Sequence, residues 1–371
     1  MARNRRDLAV ASFNLLNLQV PGRPTYPGRE PPSEAAFAAK VAWTAGMIRR
    51  LDADVVSFQE LWSREALEEV FRQDGLRDKW ELAFIKPGDW DGIAVAAAVR
   101  KPWEIRGVTR HKAFPPGVVL RKRRRSMAEI QADPDEADLS DELPGPDVEL
   151  LPSHEDDEIE VRVSEFSRSP LQVTIGLPGV SRPAVPDVEV FCAHLKSKLA
   201  TRLDESEFQR PEVRAHGVAL GAALSSIRRL AEAAALRAIL NGVMRGTSKP
   251  VVLAGDLNDG QYSNTLAILS GQPSFRLFAA STAGRRSDAG LYEGLAMQQL
   301  SGLGASYYTH DFRGVREAID HVLVSEEFYA FSERRLWSFR EMRFLNDHLD
   351  EPEEPASDHG LVRAAFDWNP A

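Results

Sequence analysis

Several apolar segments of this chain stop at side chains that bind metals or transfer protons, and this pattern constrains the fold most. Buried strands usually stop in glycine or small polar residues. Here five runs end in Asn, Glu, His, Asp or Asp-His, namely SFNLLNL at 12–18, VVSFQEL at 55–61, VEVFCAHLKSK at 188–198, PVVLAGDLND at 250–259 and ASDHGLV at 356–362. A sixth, AIDHVLVS at 318–325, places Asp320 and His321 at the front of a strand-like run. The pattern predicts one convergent site rich in oxygen ligands and imidazoles.

Length and composition indicate a globular protein. With 371 residues, 43% of them hydrophobic, the chain can form one large α/β domain or two smaller ones. No apolar stretch approaches the roughly 20 residues of a membrane span, and the start MARNRRDLAVASFN favours a first strand over a signal peptide. Cys192 is the only cysteine, which excludes an internal disulfide and a thiolate metal cluster. We therefore expect no membrane partner and a reducing compartment, most simply the cytoplasm.

The formal charge of −9 is concentrated in one segment. Between Glu129 and Glu160 there are 14 acidic residues and no Lys or Arg, so the rest of the chain has 41 acidic and 46 basic residues, a net charge of +5. A basic run, RKRRR at 121–125, precedes the acidic residues. We interpret 121–165 as a poorly ordered insertion, because it holds too little apolar surface to offset its ordering entropy. It could be a solvated loop, or an acidic flap that competes with nucleic acid for the basic body.

Helical and strand-like periodicities alternate along the chain. We expect helices from Ser33-Glu34 to about Leu51, over 63–73, from Pro211 to about Leu240, and near 262–270 and 291–300. Strands are expected over 8–14, 54–60, 92–99, 171–176 and 250–255, and near 318–324, 334–343 and 360–366. Asn241-Gly242 is expected to end the long helix. There is no repeat at a fixed period, so the mixture favours a sheet-rich core covered by helices.

The residue types at the strand ends suit a hard divalent cation. Mg²⁺ and Mn²⁺ take carboxylate and amide oxygens, which Asn14, Glu60 and Asp358 offer. A zinc site is disfavoured because no His-x-x-x-His or paired-cysteine spacing is present. Asp256 and Asn258 lie two apart after an apolar run, so they are expected on one side of an extended chain that leaves the strand.

Taken in order from residue 12 to residue 362, these segments resemble the endonuclease/exonuclease/phosphatase superfamily. GDLND and SDHG are each short, but the ordered set is specific. The resemblance implies an α/β fold, a four-layer α/β sandwich of two packed mixed or antiparallel sheets flanked by helices. It further implies one domain over 1–371, with the insertion at 121–165 inside it, and a metal-dependent phosphoester hydrolase.

The resemblance also implies a metal site. Glu60 would be the principal ligand of Mg²⁺ or Mn²⁺, and Asn14 and Asp358 would complete or support the site. Certain apurinic endonucleases of the superfamily have another metal-binding acid where this chain has Leu16. The resemblance therefore leaves undecided whether this chain has a second metal position.

The resemblance also implies catalytic roles for residues of this chain. Asp256 and Asn258 would orient the attacking water and the phosphate. His359 would pair with Asp320, which fixes its tautomer, while His194 would donate to the phosphate oxygens as charge accumulates. Either Asp256 or His359 could act as the base.

Weaker signals surround these residues. Arg168, in FSRSPL, and Lys196, in HLKSK, could bind substrate phosphate. Asp91 is the nearest candidate to orient His194. His321 is expected to be structural, since only one of two neighbouring strand residues can face the site. Cys192 should share the face of His194 but act as a small core residue.

The substrate class follows less directly. HLKSK, GDLND and YYTHDFRGVREAIDHVLVS are most similar to bacterial extracellular-type nucleases of the superfamily, and the basic body suits a polyanion. The absent export signal does not agree with this similarity. We hypothesise a metal-dependent nuclease acting on DNA or RNA. The alternatives are a phosphomonoesterase, a phospholipid-type phosphodiesterase, or a non-catalytic nucleic-acid-binding module on the same fold.

Overall fold

The computed structural model describes residues 4–90, 92–118, 120–122, 159–179, 184–276, 281–286, 289–302, 307–350 and 354–371. The strands in these ranges are β1 (Leu8–Leu18), β2 (Val55–Leu61), β3 (Trp80–Ala83), β4 (Ala94–Arg100), β5 (Glu104–Arg110), β6 (Leu120–Lys122), β7 (Ile159–Val161), β8 (Leu171–Gly176), β9 (Val188–His194), β10 (Val251–Asp256), β11 (Tyr292–Glu293), β12 (His310–Phe312), β13 (Val315–Glu317), β14 (Asp320–Val324), β15 (Trp337–Leu345) and β16 (Leu361–Trp368). The helices are α1 (Glu34–Leu51), α2 (Arg64–Phe71), α3 (Glu205–Phe208), α4 (Pro211–Arg214), α5 (Gly217–Met244), α6 (Asn264–Ser270) and α7 (Gly294–Ser301).

Two six-stranded sheets form the centre of the fold. The first has the order β15-β16-β1-β2-β4-β3, and the second has the order β11-β14-β10-β9-β8-β5. In each sheet a central parallel pair, β1 with β2 or β10 with β9, lies between antiparallel neighbours. Both sheets are therefore mixed.

Alternating side chains divide the apolar residues into three layers. On β1, Val10 belongs to the core between the sheets, whereas Phe13 packs towards α1 and α2. On β10, Val252 faces the inter-sheet core and Leu253 packs against α5 and α6. This arrangement confirms the predicted four-layer α/β sandwich. Within the described ranges, no helix combines the length and the apolar character required to cross a membrane.

The first helix forms where its signals predict it. Ser33 is the N-cap of α1, and its hydroxyl accepts a hydrogen bond from the backbone N–H of Ala36. The long helix differs from the prediction. The chain from Pro211 forms the short α4, then His216 interrupts the helical backbone with φ −114° and ψ 7°, and α5 begins at Gly217. Asn241-Gly242 does not end α5, which continues to Met244, because Gly242 does not adopt the left-handed backbone with which a glycine ends a helix.

Two further expectations need correction. Asp358 and His359 precede β16, so this pair begins a strand and does not end one. Next to the predicted insertion, β6 pairs antiparallel with β7, and a bridge joins Ala113 to Glu165. The ends of 121–165 are therefore part of a small sheet. Residues 123–158 lie outside the described ranges, so the expectation of disorder there stays a prediction.

A buried carboxyl group lies after β14, far from the polar strand ends. Glu327 is 3% exposed, and its Oε2 accepts a hydrogen bond of 2.6 Å from the Ser325 hydroxyl. Burial raises the pKa of Glu327 to about 7, against the opposing hydrogen bond from Ser325. The folded protein thus keeps a proton that the unfolded chain releases near pH 4.5.

We predict that this group makes stability depend on pH. Because its pKa is raised on folding, the stability that Glu327 contributes is present below about pH 4.5 and is lost as pH rises through about 7. Glu327→Gln cannot ionise, so the wild type should lose roughly 1–3 kcal/mol relative to this variant between pH 5 and pH 8. Urea unfolding at both pH values measures the difference. Glu333→Gln, on a half-exposed side chain, is the control, and parallel pH curves for wild type and Glu327→Gln would contradict the prediction.

Candidate active site

Polar side chains close the space between the two sheets at one edge. On β9 and β10, Cys192 and Ala254 face the inter-sheet core, and the residues two positions later are His194 and Asp256. Because side chains alternate along a strand, these two face the same space. Asn14 enters it from β1, and its Nδ2 donates to Asp256 Oδ2 at 3.2 Å. The polar cluster is thus the end of the inter-sheet core.

Strand direction explains why other chain segments reach the same edge. The parallel pairs β1–β2 and β9–β10 bring Asn14, Glu60, His194 and Asp256 to their carboxyl ends. The antiparallel neighbours β14 and β16 begin at this edge, which is where Asp320 and His359 lie. Glu60 reaches Asn14 Nδ2 at 3.3 Å. The structure therefore brings these six predicted residues together.

His359 is held by a buried carboxylate. Its Nδ1 lies 2.8 Å from Asp320 Oδ2, and its Nε2 lies 3.9 Å from Asp256 Oδ2. Burial acts to lower the pKa of His359, but Asp320 and Asp256 raise it to about 10. The ring is therefore an imidazolium at neutral pH, and the Thr309 hydroxyl fixes Asp320 by accepting its backbone N–H.

Asp256 lies between both histidines. Its Oδ2 is 3.5 Å from His194 Nε2, and only 1% of the residue is exposed. Burial raises the pKa of Asp256 to about 7, against the opposing charge of His359. A carboxylate with a pKa near the working pH can take up and release a proton.

His194 is buried and neutral. Burial lowers its pKa well below the ordinary value, and the positive charges of Arg168 and His359 add to the shift. Its Nδ1 has no hydrogen-bond partner among the residues that the structure describes. The residue predicted to orient this ring, Asp91, lies outside the described ranges.

The oxygen-rich corner at Asn14 and Glu60 fits a hard cation. Both strands bulge there, with register shifts between Asn14 and Leu18 on β1 and between Phe58 and Leu61 on β2. Glu60 has a positive φ of 58° and a partly exposed side chain. Bulges re-aim side chains at sheet rims, and carboxylate and amide oxygens are the donors that Mg²⁺ or Mn²⁺ prefers. The residue types thus agree with the predicted cofactor, although here Asn14 turns its Nδ2 to Glu60 and its Oδ1 to the Leu16 backbone N–H. The identity of the metal stays a prediction.

Two further observations concern where the cation would bind, namely the position of Asp358 and the cluster of Asp256, Asp320 and His359. Asp358 is exposed, and it shares with Glu60 an electrostatic effect on Lys40, whose pKa burial lowers to about 8 while both carboxylates oppose the shift. Ligand atoms of Asp256, Asp320 and His359 also lie within 4.8 Å of one another. We favour the Glu60 corner for the cation, because His359 Nδ1 is already bonded to Asp320.

The chain turns immediately after β10. Asn258 has φ 55°, and its backbone N–H donates to Asp256 Oδ1 at 2.9 Å, so the expectation of an extended chain there was wrong. The Asx turn forms because the carboxylate of Asp256 satisfies this N–H locally. Asn258 Nδ2 then donates to the Leu195 carbonyl at 3.1 Å, which ties the turn to the end of β9.

The two predicted phosphate-binding residues differ in placement. Arg168 Nη1 donates to the Leu195 carbonyl at 3.0 Å, and its buried Nε has no partner among the described residues. Lys196 Nζ turns to the Ser197 and Leu199 carbonyls at 3.4 Å, so in this conformation the amine is occupied by its own loop.

Some residues at the site carried no sequence signal. Buried Glu232 on α5 accepts the backbone N–H groups of Ser167 and Lys196, both at 2.8 Å, and so positions both loops. Tyr26 lies near Arg168 and Glu60, and it packs edge-on against Trp62 with ring centroids 4.9 Å apart. An isolated tyrosine in a loop and a glutamate in an Ala-rich helix are too common to be recognised from sequence.

His321 and Cys192, the two residues near the site that were expected to be structural, are both buried. His321 Nδ1 and Nε2 contact Glu293 Oε1 at 2.7 Å and the Asp259 carbonyl at 2.8 Å, on the helix-facing side of the sheet. Burial raises the pKa of the Cys192 thiol to about 12, which makes it unreactive at neutral pH.

The fold and the site together define a class of protein. A two-sheet sandwich with acidic, amide and imidazole groups at one sheet edge is the arrangement that the sequence motifs predicted. The sequence profile of the Endonuclease/Exonuclease/phosphatase family matches residues 11–359. The chain belongs to this family, whose members are phosphoesterase hydrolases.

Solved structures of low sequence identity have the same fold. A family protein from Bacteroides thetaiotaomicron has a TM-score of 0.52 and 13% identity, over 98% of this chain and 98% of that one. The mannosyl-6-phosphatase Bt3783 of the same organism has a TM-score of 0.52 and 13% identity, over 97% and 99%. D. rerio TDP2 complexed with a single-strand DNA product has a TM-score of 0.50 and 13% identity, over 97% and 99%. No curated protein sequence matches the chain.

We predict that Asp320 is what keeps His359 protonated. Asp320→Asn retains a hydrogen-bond acceptor but removes the charge, so the pKa of His359 should fall from about 10 towards the usual 6.5. Long-range ¹H–¹⁵N NMR of the imidazoles at pH 7.5 measures this change. His111, whose Nε2 lies 2.9 Å from Gln172 Oε1, is the internal control, and its imidazole signals should be the same in the wild type and the variant. An unchanged imidazolium signal for His359 would contradict the assignment.

Proposed function

We propose that this protein is a metal-dependent phosphodiester hydrolase that cleaves DNA or RNA by attack of water on phosphorus. The observation that supports it most is the position of Asp256, a buried carboxylate of raised pKa between two imidazoles of opposite protonation state. Hydrolysis of a phosphoester requires a proton acceptor for water and donors for the phosphate and leaving oxygens. These groups are provided within one cluster.

Each residue then has a role. Asp256 accepts the proton of the attacking water, because its pKa near 7 suits a base, whereas His359 is already protonated. His359 is a proton source for the leaving oxygen, and Asp320 holds its tautomer. His194 and Asn258 donate hydrogen bonds to the phosphate oxygens as negative charge increases on them.

The corner of Asn14, Glu60 and Asp358 would hold the cation. When bound, Mg²⁺ or Mn²⁺ supplies positive charge that stabilises the phosphate oxygens. Without a cation, Glu60 would place its negative charge near an anionic substrate. Lys40 beside Glu60 and Asp358 offsets part of this charge, and a cation at the corner would offset the rest.

A nucleic acid substrate is supported by the charges around the site. Arg168 acts electrostatically on both His194 and Lys196, so two basic side chains lie together beside the site. The chain outside the acidic segment carries a net charge of +5. Basic groups close to a phosphoester centre favour a polyanion.

We predict that Glu60→Gln and His359→Ala each reduce hydrolysis of a phosphodiester by at least about 100-fold, since each removes a group that acts on charge in the transition state. Steady-state rates with and without Mg²⁺ or Mn²⁺, after treatment with EDTA, measure the effect. Glu65→Gln is the matched control, because that carboxylate makes only a surface ion pair with Arg23. Full activity of Glu60→Gln, or turnover that persists in EDTA, would refute the proposed site.

We further predict the order of substrates. Plasmid DNA or single-stranded RNA should be cleaved faster than inositol phosphates or sphingomyelin, because the basic rim binds a polyanion better than one small phosphoester. A panel of these substrates at one enzyme concentration measures the order, and raising the salt concentration should slow only the nucleic acid reactions. Preference for inositol phosphates would favour the phosphomonoesterase alternative. Binding without turnover would favour the non-catalytic module.

A further inference from the structure

A cavity of about 550 Å³ opens directly beside the proposed active site. It lies between the turn after β10, the helix α7 and the strand β13. Gly260, four residues after Asp256, and Glu317, three residues before Asp320, both line it. The cavity therefore lies at the same sheet edge as the proposed active site, and none of its described lining residues is assigned to hydrolysis.

Two aromatic side chains, Tyr262 and Tyr307, line part of this cavity. Tyr262 is 89% exposed, more than any other large hydrophobic side chain in the described part of the chain. It also lines a neighbouring cavity of about 340 Å³. Tyr307 lines the larger cavity and is fixed by packing on Phe344, with ring centroids 5.0 Å apart. An exposed aromatic ring beside a polar cavity is a surface on which a flat ring can stack.

Two glutamines provide a polar edge. Gln261 Nε2 donates to Gln299 Oε1 at 2.9 Å, and Gln299 Nε2 donates to Gln261 Oε1 at 3.1 Å. This reciprocal pair uses one N–H and one lone pair of each amide, so each amide keeps a second N–H and a second lone pair. Adjacent donors and acceptors of this kind match the edge of a nucleobase.

The charged groups of the cavity already have partners. Glu317 contacts Lys198 Nζ at 2.6 Å, and Arg316 contacts Asp311 and Asp350 at 3.2 and 2.8 Å. The lining therefore presents little uncompensated charge. Among the described lining residues no cation is left unpaired for a phosphate, whereas an uncharged heterocycle can stack on Tyr262 and form hydrogen bonds with the two amides.

We propose that this cavity binds an unpaired nucleobase of the nucleotide next to the cleaved phosphate, with Tyr262 as the stacking residue and Gln261 and Gln299 as the hydrogen-bonding residues. The inference rests on the proposed nuclease function and makes it more specific. A base inside a duplex is stacked on both faces and cannot lie against Tyr262. The preferred substrate is therefore single-stranded.

Kinetics on two matched diesters test the proposal. One substrate is a dinucleoside phosphate, and the other is its analogue with tetrahydrofuran in place of each nucleoside, which keeps the phosphodiester and lacks the bases. Tyr262→Ala and Gln299→Leu should raise KM for the dinucleoside phosphate about tenfold and leave kcat unchanged. Neither change should affect the analogue. Tyr262→Phe keeps the ring and should behave as wild type, and Phe331→Ala, an aromatic 43% exposed beyond the other end of β14, is the control.

A second measurement does not require turnover. Single-stranded DNA containing 5-iodouracil is irradiated with the protein, and the labelled residue is identified by mass spectrometry. The label is expected on Tyr262. Label on other residues only would overturn the proposal, as would equal kinetic losses on both diesters or none on either. If the wild type cleaves neither the two diesters nor DNA or RNA while Tyr262 is labelled, the hydrolase assignment fails and the base site stands.

Discussion

The whole site depends on one side-chain amide that joins the two sheets. Asn14 Nδ2 has two hydrogens, and it donates one to Glu60 on the first sheet and the other to Asp256 on the second. A buried carboxylate without a partner is costly, so this contact helps to make the position of Asp256 tolerable. Ser357 donates its hydroxyl to the Asn14 carbonyl and thereby places the segment that carries His359. One residue thus connects the strands of both sheets with the segment before β16.

The buried charges set geometry more than they add stability. His359 carries a positive charge between Asp320 and Asp256, and ion pairs of this kind roughly balance their desolvation cost while removal of one partner is strongly destabilising. The positions and protonation states of these three groups therefore depend on one another. Such an arrangement is already polarised before substrate binds, which is what electrostatic stabilisation of a phosphorus centre requires.

The sequence predicted one convergent site from the polar residues that stop apolar runs, and the roles of those residues from the family resemblance. Because side chains alternate, His194 had to share the face of Cys192, and an apolar run that stops in Asp or His indicates where the inter-sheet core ends. The same reasoning could not find Glu232 or Tyr26, since their roles depend on loops from distant parts of the chain that meet only in the folded protein. For Lys196, the sequence places the residue beside the site and the fold turns its amine to the Ser197 and Leu199 carbonyls, so its role in substrate binding stays a prediction.

The turn after β10 links the chemistry to the choice of substrate. Asp256 accepts the backbone N–H of Asn258, and this left-handed turn redirects the chain so that Tyr262 lines the adjacent cavity. The carboxylate of Asp259 is fixed by Arg229 and Thr265, at 3.2 and 2.7 Å. The carbonyl of Asp259 is fixed by His321. The turn is thus held from several sides. In the proposed function, a substrate whose phosphate meets Asp256 would have its neighbouring nucleobase at the cavity, so this turn would couple phosphate position to nucleobase recognition.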